Sequence, residues 1–198
     1  MTDHMLDFMR SLVWYADICG PVLEIGSYVE TNQDHLDMRR AFPRGTPYLG
    51  IDTHEGPGVD RVADLMNSTQ IDHLLAEHRP KVVLCFYVIE HVWVIHQAVK
   101  ALADIWHRDR ESWMFVGTHQ NQPYHATEKY PDFWRITASG MKRIFDEANL
   151  PGANVIVFPD SSNPTDVLMV QQPGSMAWPE ETFDKVRRAT SPHWKKYC

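Results

Sequence analysis

Acids recur at the ends of short apolar runs in the first third of this 198-residue chain. Val22-Leu23-Glu24-Ile25-Gly26-Ser27 carries Glu24, Tyr48-Leu49-Gly50-Ile51 runs into Asp52, and Val62-Ala63 into Asp64 and Leu65. A carboxylate accepts hydrogen bonds from two vicinal hydroxyls, so Asp52 is suited to a ribose diol. A turn cap is its alternative role, and Asp64 equally suits a cap of the turn that follows. Glu24 interrupts an apolar run, where a charge is costly unless satisfied. It holds either a cationic ligand group or a structural ion pair.

A second set of reactive side chains comes later. Among 11 histidines, His91, His119 and His125 are the candidates for a general base. His125 is preferred over His91, because it shares an irregular stretch with Tyr130, Trp134 and Arg135. Arg135 could clamp a carboxylate or phosphate on a substrate, or it could pair with Asp132 and pin the loop. Phe86 and Tyr87 read as walls rather than catalysts. No His-x-x-x-His or His-Glu-x-x-His pair exists and Cys19, Cys85 and Cys198 are scattered, so no metal is expected; a metal site would need loops to converge.

These residues need a frame. Val22–Ile25, Tyr48–Ile51, Val59–Ala63, Lys81–Val88 and Trp113–Val116 read as strands, the fourth apolar throughout and therefore central. Val155–Phe158 and Val167–Val170 complete seven. An amphipathic helix is expected over residues 3–18, a crossover helix over Glu30–Phe42 and a helix capped by Asn67 or Ser68. Another opens at Glu90-His91, with His91 at its positive end, and another is capped by Thr137. Acids and turn glycines at the carboxyl ends of parallel strands lie where open α/β sheets bind ligands. The run Gly26-Ser27-Tyr28-Val29-Glu30-Thr31 has one glycine, and Glu30 repels phosphate. Pyrophosphate is therefore disfavoured, and an adenosine without phosphates fits better.

Five segments in order resemble the class I S-adenosylmethionine-dependent methyltransferases, of the methyltransferase type 11-like kind. They are Val22–Ser27, Gly50-Ile51-Asp52, Val62–Leu65, Tyr87-Val88-Ile89-Glu90-His91-Val92 and Tyr130–Thr137. The resemblance implies a Rossmann-like, seven-stranded, mostly parallel sheet with one antiparallel strand and helices on both faces. It implies S-adenosyl-L-methionine as cofactor, held by Glu24, Gly26, Ser27, Asp52, Asp64, Leu65, Phe86 and Tyr87. His125 or His91 would be the base, and Tyr130, Trp134 and Arg135 would meet the acceptor. Tyr28 stands where the family often has glycine, and is expected to turn toward solvent or the leading helix. The implied activity is methyl transfer to a small molecule at oxygen; a non-catalytic binding or assembly subunit on the same scaffold is the alternative.

Length suits one domain over residues 1–198, with a core over 19–172, the leading helix over 3–18 and an extension over 173–198. The net charge of −7 argues against nucleic acid as a partner. No apolar run spans a membrane and no signal-like leader is seen, so the expected address is cytoplasmic, with a homodimer left open.

Overall fold

The computed structural model describes residues 3–30, 37–150, 153–158, 165–174, 181, 185–186 and 195–197. Eight strands form one sheet: β1 Val22–Ile25, β2 Tyr48–Asp52, β3 Arg61–Val62, β4 Val82–Phe86, β5 Trp113–His119, β6 Asn154–Phe158, β7 Asp166–Gln171 and β8 Lys195–Tyr197. Their order is β3-β2-β1-β4-β5-β7-β6-β8. The first five strands are parallel. β7 runs against β5 and β6, the hairpin that places one antiparallel strand among the seven expected. β8 adds a short antiparallel edge to β6, within a terminal segment where sequence showed only charge and aromatic residues. β1 and β4 are buried at every position, which explains why β4 reads as a continuous apolar run and β1 as one broken only by Glu24.

Helices cover both faces. The helix α1 (Asp3–Tyr15) presses Met5, Phe8, Met9 and Leu12 against Val82, Leu84, Phe86 and Phe115. It covers that face of the sheet and ends three residues earlier than periodicity suggests. On the other face, α2 (Ser68–His78), α3 (Ile95–Arg108) and α4 (Ala138–Glu147) bury Ile71, Leu74, Val99, Leu102, Met141 and Phe145 against Leu23, Val83, Cys85 and Met114. The caps follow the sequence: Asn67 accepts from the Gln70 amide and Thr137 from the Gly140 amide.

Two helix expectations need correction. The segment Glu30–Phe42 shows a 3-10 turn at Met38–Ala41, capped by Asp37, while residues 31–36 lie outside the described residues. Glu90 and His91 belong to a separate 3-10 turn, Ile89–His91, and α3 begins only at Ile95. His91 is thus not at a helix amino end. In the extension, Glu181, Lys185 and Val186 are described and helical. Among the described residues no helix is long and apolar enough to cross a membrane.

Candidate functional site

The strand order reverses between β1 and β4, and a cavity of about 940 Å³ opens there at the carboxyl ends of the parallel strands. Glu24, Gly26, Ser27, Asp52, Asp64, Leu65, Phe86 and Tyr87 all line it, as do His91, His119, His125 and Tyr130. Gly26 makes the turn that opens this edge. Its φ is +81°, and a Cβ there would stand 2.1 Å from Val88 Cγ2, so no other residue fits without shifting the strand end. Ser27 contributes backbone; its hydroxyl is buried without a partner and lies against Gly50. Tyr87 holds φ +57°, a left-handed conformation that a bulky residue rarely adopts, and its hydroxyl donates to Asp166 at 3.2 Å.

Three carboxylates ring one side of the cavity in different states. Glu24 is buried, accepts a hydrogen bond from the Tyr48 hydroxyl at 2.8 Å and has no salt-bridge partner among the described residues. Burial pushes its pKa up to about 8, with the Tyr48 bond a smaller opposing influence. Arg39 is near, but its guanidinium is committed to Asp60 and the Gly58 carbonyl. Among the described residues the structural ion pair weighed for Glu24 is not made. Asp52 accepts from the His54 amide at 3.0 Å and from the Tyr130 hydroxyl at 2.7 Å. Asp64 caps the following turn through Oδ1 on the Met66 amide, and still lines the cavity.

Histidines ring the opposite side. His119 Nδ1 lies 2.8 Å from Asp166 Oδ1, and Asp166 is fully buried. The carboxylate fixes the proton on Nδ1 and leaves Nε2 with its lone pair, while burial lowers the pKa of the ring. His91 Nδ1 faces the Pro131 carbonyl, and its pKa is lowered by burial rather than by a helix dipole. His125 Nδ1 lies near the Pro123 carbonyl and Asp132. The His119 ring stands 4.9 Å from the His125 ring, which stands 5.3 Å from the His91 ring.

Several expectations are displaced. Arg135 does not line the cavity; it donates to Asp132, to the Gln122 and Pro123 carbonyls and toward His125, and so pins the loop. Asp132, held far below the usual carboxylate range by this guanidinium, also receives the His125 amide. Trp134 donates to the Val92 carbonyl and stacks on Trp93, away from the cavity. Tyr124 and Phe133 are exposed rather than packed over the cavity. Tyr130 meets Asp52 on the cofactor-like side rather than the opposite wall. Tyr28 does not turn away: its ring lines the cavity, packs against Gly56 and Tyr130, and carries Lys129 over its face at 4.3 Å. The pairing of His119 with Asp166 was not legible, since it depends on the β5–β7 register, which sets the two residues opposite each other.

No protein-family model matches the sequence, and no curated protein matches it. Solved structures do. A SAM-dependent methyltransferase from Archaeoglobus fulgidus is similar over 84% of this chain and 91% of its own, at 12% identity and a TM-score of 0.56. The fold is that of the SAM-dependent methyltransferases. The trans-methyltransferase CalH, solved with SAH, matches 84% of this chain at 13% identity and a TM-score of 0.57, and this chain spans 57% of its length. A Burkholderia thailandensis 1,6-didemethyltoxoflavin-N1-methyltransferase, solved with its acceptor and S-adenosylhomocysteine, matches 86% of this chain and 79% of its own at 9% identity and a TM-score of 0.51. In this methyltransferase-like frame, Glu24, Asp52 and Asp64 close the first, second and third turns, in the order the sequence places them.

Proposed function

We propose that this chain transfers a methyl group from S-adenosyl-L-methionine to an oxygen of a small-molecule acceptor. The observation that carries the reading is Glu24, a buried acid with no cation partner among the described residues, on a cavity that Asp52 also lines. A ligand bringing an ammonium to Glu24 and a diol to Asp52 satisfies both. The Tyr130 hydroxyl already shows that Asp52 takes a hydroxyl donor at 2.7 Å. Asp64, Leu65 and the Gly26 turn line the space for adenosine. Glu30 also lines the cavity and disfavours a phosphate there.

Bound there, S-adenosylmethionine supplies a methyl group on a sulfonium, which leaves the protein mainly the work of alignment. Phe86 and Tyr87 wall the end of β4 and exclude water. His119 Nε2 takes the proton from the acceptor hydroxyl as its oxygen forms the new bond to carbon, and Asp166 steadies the resulting imidazolium. His119 thus replaces His125 as the base, because Asp166 faces it to steady the imidazolium, whereas the Asp132 beside His125 is paired with Arg135.

The intrusion of Tyr28 into the cavity wall favours one rival, a binding or assembly role without turnover. Isothermal titration with S-adenosylhomocysteine, followed by release of that product from S-adenosylmethionine over a panel of phenols and hydroxy acids, separates the two. Binding with turnover supports the enzyme; binding alone supports the rival; no binding by the folded chain overturns both.

A further inference from the structure

Behind the histidine wall lies Glu90, fully buried, with neither carboxylate oxygen in a close hydrogen bond among the described residues. The Thr118 hydroxyl is beside it. Glu90, His91 and His125 each bring a ligand-capable atom within 4.8 Å of the other two. Three atoms about 2.1 Å from one ion are about 3.4 Å apart in tetrahedral geometry, so closure from separations of up to 4.8 Å needs each ligand to move by less than about 1 Å.

The tautomers make this convergence unusual. The Pro131 carbonyl fixes the His91 proton on Nδ1. The Pro123 carbonyl at 3.1 Å and the Asp132 carboxylate at 3.2 Å do the same for His125, although Arg135 also approaches that nitrogen at 3.2 Å. A backbone carbonyl orients each imidazole, as outer-shell partners orient metal-bound histidines, and leaves Nε2 as the nitrogen able to ligate.

We propose that Glu90, His91 and His125 bind one divalent first-row metal ion at the wall of the cavity. Two imidazoles and one carboxylate favour zinc, manganese, iron or cobalt over magnesium or calcium. Sequence spacing could not suggest the site, because the ligands come from a 3-10 turn and a loop 34 residues beyond. The open coordination positions face the same cavity as His119, so the acceptor is an oxygen compound able to ligate the ion, such as a phenol or hydroxy acid with a neighbouring oxygen. A ligated hydroxyl loses its proton more readily, and His119 Nε2 receives it. This role rests on the methyl-transfer reading, whereas metal binding does not.

The test uses the full chain stripped with chelator and titrated with Co²⁺, followed by visible absorption and by competition with Zn²⁺. One ion per chain is expected, with a spectrum of nitrogen and oxygen ligation. His125→Gln, Glu90→Gln and His91→Gln should each weaken binding by more than the roughly 10–100-fold that loss of an outer-shell partner costs. His96→Gln, at an exposed position of α3, should leave it unchanged. Should Glu90→Gln fail to fold, the half-buried His125 provides the same measurement. Absence of stoichiometric binding by the folded native chain, or binding unaltered in the variants, overturns the proposal. S-adenosylhomocysteine titration of the same metal-free protein runs alongside. Its failure with Co²⁺ binding intact removes the methyl-transfer reading alone, and the converse removes the metal alone.

Discussion

The two walls of the cavity are built by different means. Strands deliver the acidic wall: Glu24 lies within β1, Asp52 ends β2 and Asp64 follows β3 by two residues. Much of the basic wall is delivered by turns, with His91 in a 3-10 turn and His125 in the long loop; only His119 ends a strand. Side chains on strands inherit their positions from register, which hydrophobic pattern reveals. Side chains on turns depend on pins such as Arg135 and Asp132, which pattern does not reveal. The acidic wall is therefore a preformed mould for one ligand, and the basic wall is where the specificity of the molecule resides.

That contrast can be tested from its strongest point downward. His119→Ala should lower the turnover number by roughly 100- to 10,000-fold while leaving S-adenosylhomocysteine affinity unchanged, read as product release with an acceptor the native chain uses. A matching loss of cofactor affinity would mean the walls are not separable. Asp52→Ala should weaken S-adenosylhomocysteine by about 3 kcal/mol, on the order of 100-fold, by titration calorimetry. Unchanged affinity in a folded variant removes the ribose assignment.

A subtler difference appears with pH. Glu24 at about 8 must lose its proton to pair with an ammonium, so S-adenosylhomocysteine affinity should rise as pH climbs toward 8 and level off above it. Glu24→Gln should flatten that profile and cost about tenfold at the plateau. The same raised pKa values act on the free protein in the other direction. Between their unfolded values near 4.5 and about 8 for Glu24 or about 7 for Glu90, the folded chain holds protons that the unfolded chain has released. Stability should therefore fall across that window as pH rises, by an amount on the order of a few kcal/mol. Calorimetric melting temperatures that stay level from pH 5 to 8 would contradict it. The smallest effect concerns the bond between the walls: Tyr130→Phe should tighten S-adenosylhomocysteine a few-fold by freeing Asp52, worth about 1 kcal/mol.

Sequence made the frame and the acidic wall legible because both follow from strand periodicity and from what stands at strand ends. It singled out His91 and His125 as candidate bases and set His125 beside Arg135 in the loop, but it gave His91 the wrong setting. Glu90-His91 reads as a helix opening, and only three dimensions show a tight turn that buries Glu90. The resemblance made Arg135 and Trp134 acceptor contacts, whereas Arg135 is spent on neighbours within the loop and Trp134 on Val92 and Trp93 beyond the fourth strand. The missing glycines after Gly26 had a hidden counterpart. Gly56 and Gly58, in the loop after β2, supply the close approach: a Cβ on Gly56 would meet the Tyr28 ring at 2.1 Å, and one on Gly58 the Ser27 carbonyl at 2.3 Å. The bulk of Tyr28 is accommodated from across the turn.

One hydrogen bond joins the two walls. Tyr130 belongs to the loop that carries His125, and its hydroxyl rests on Asp52. Any ribose that claims Asp52 must displace that hydroxyl or share the carboxylate with it, and so pulls on the segment holding the acceptor wall. The two halves of the reaction then have a common thermodynamic handle. Whatever one ligand spends or gains in moving Tyr130, the other finds already settled, and the influence is equal in both directions. Removing that phenol, as in Tyr130→Phe, should therefore weaken the coupling between the two ligands in both directions alike.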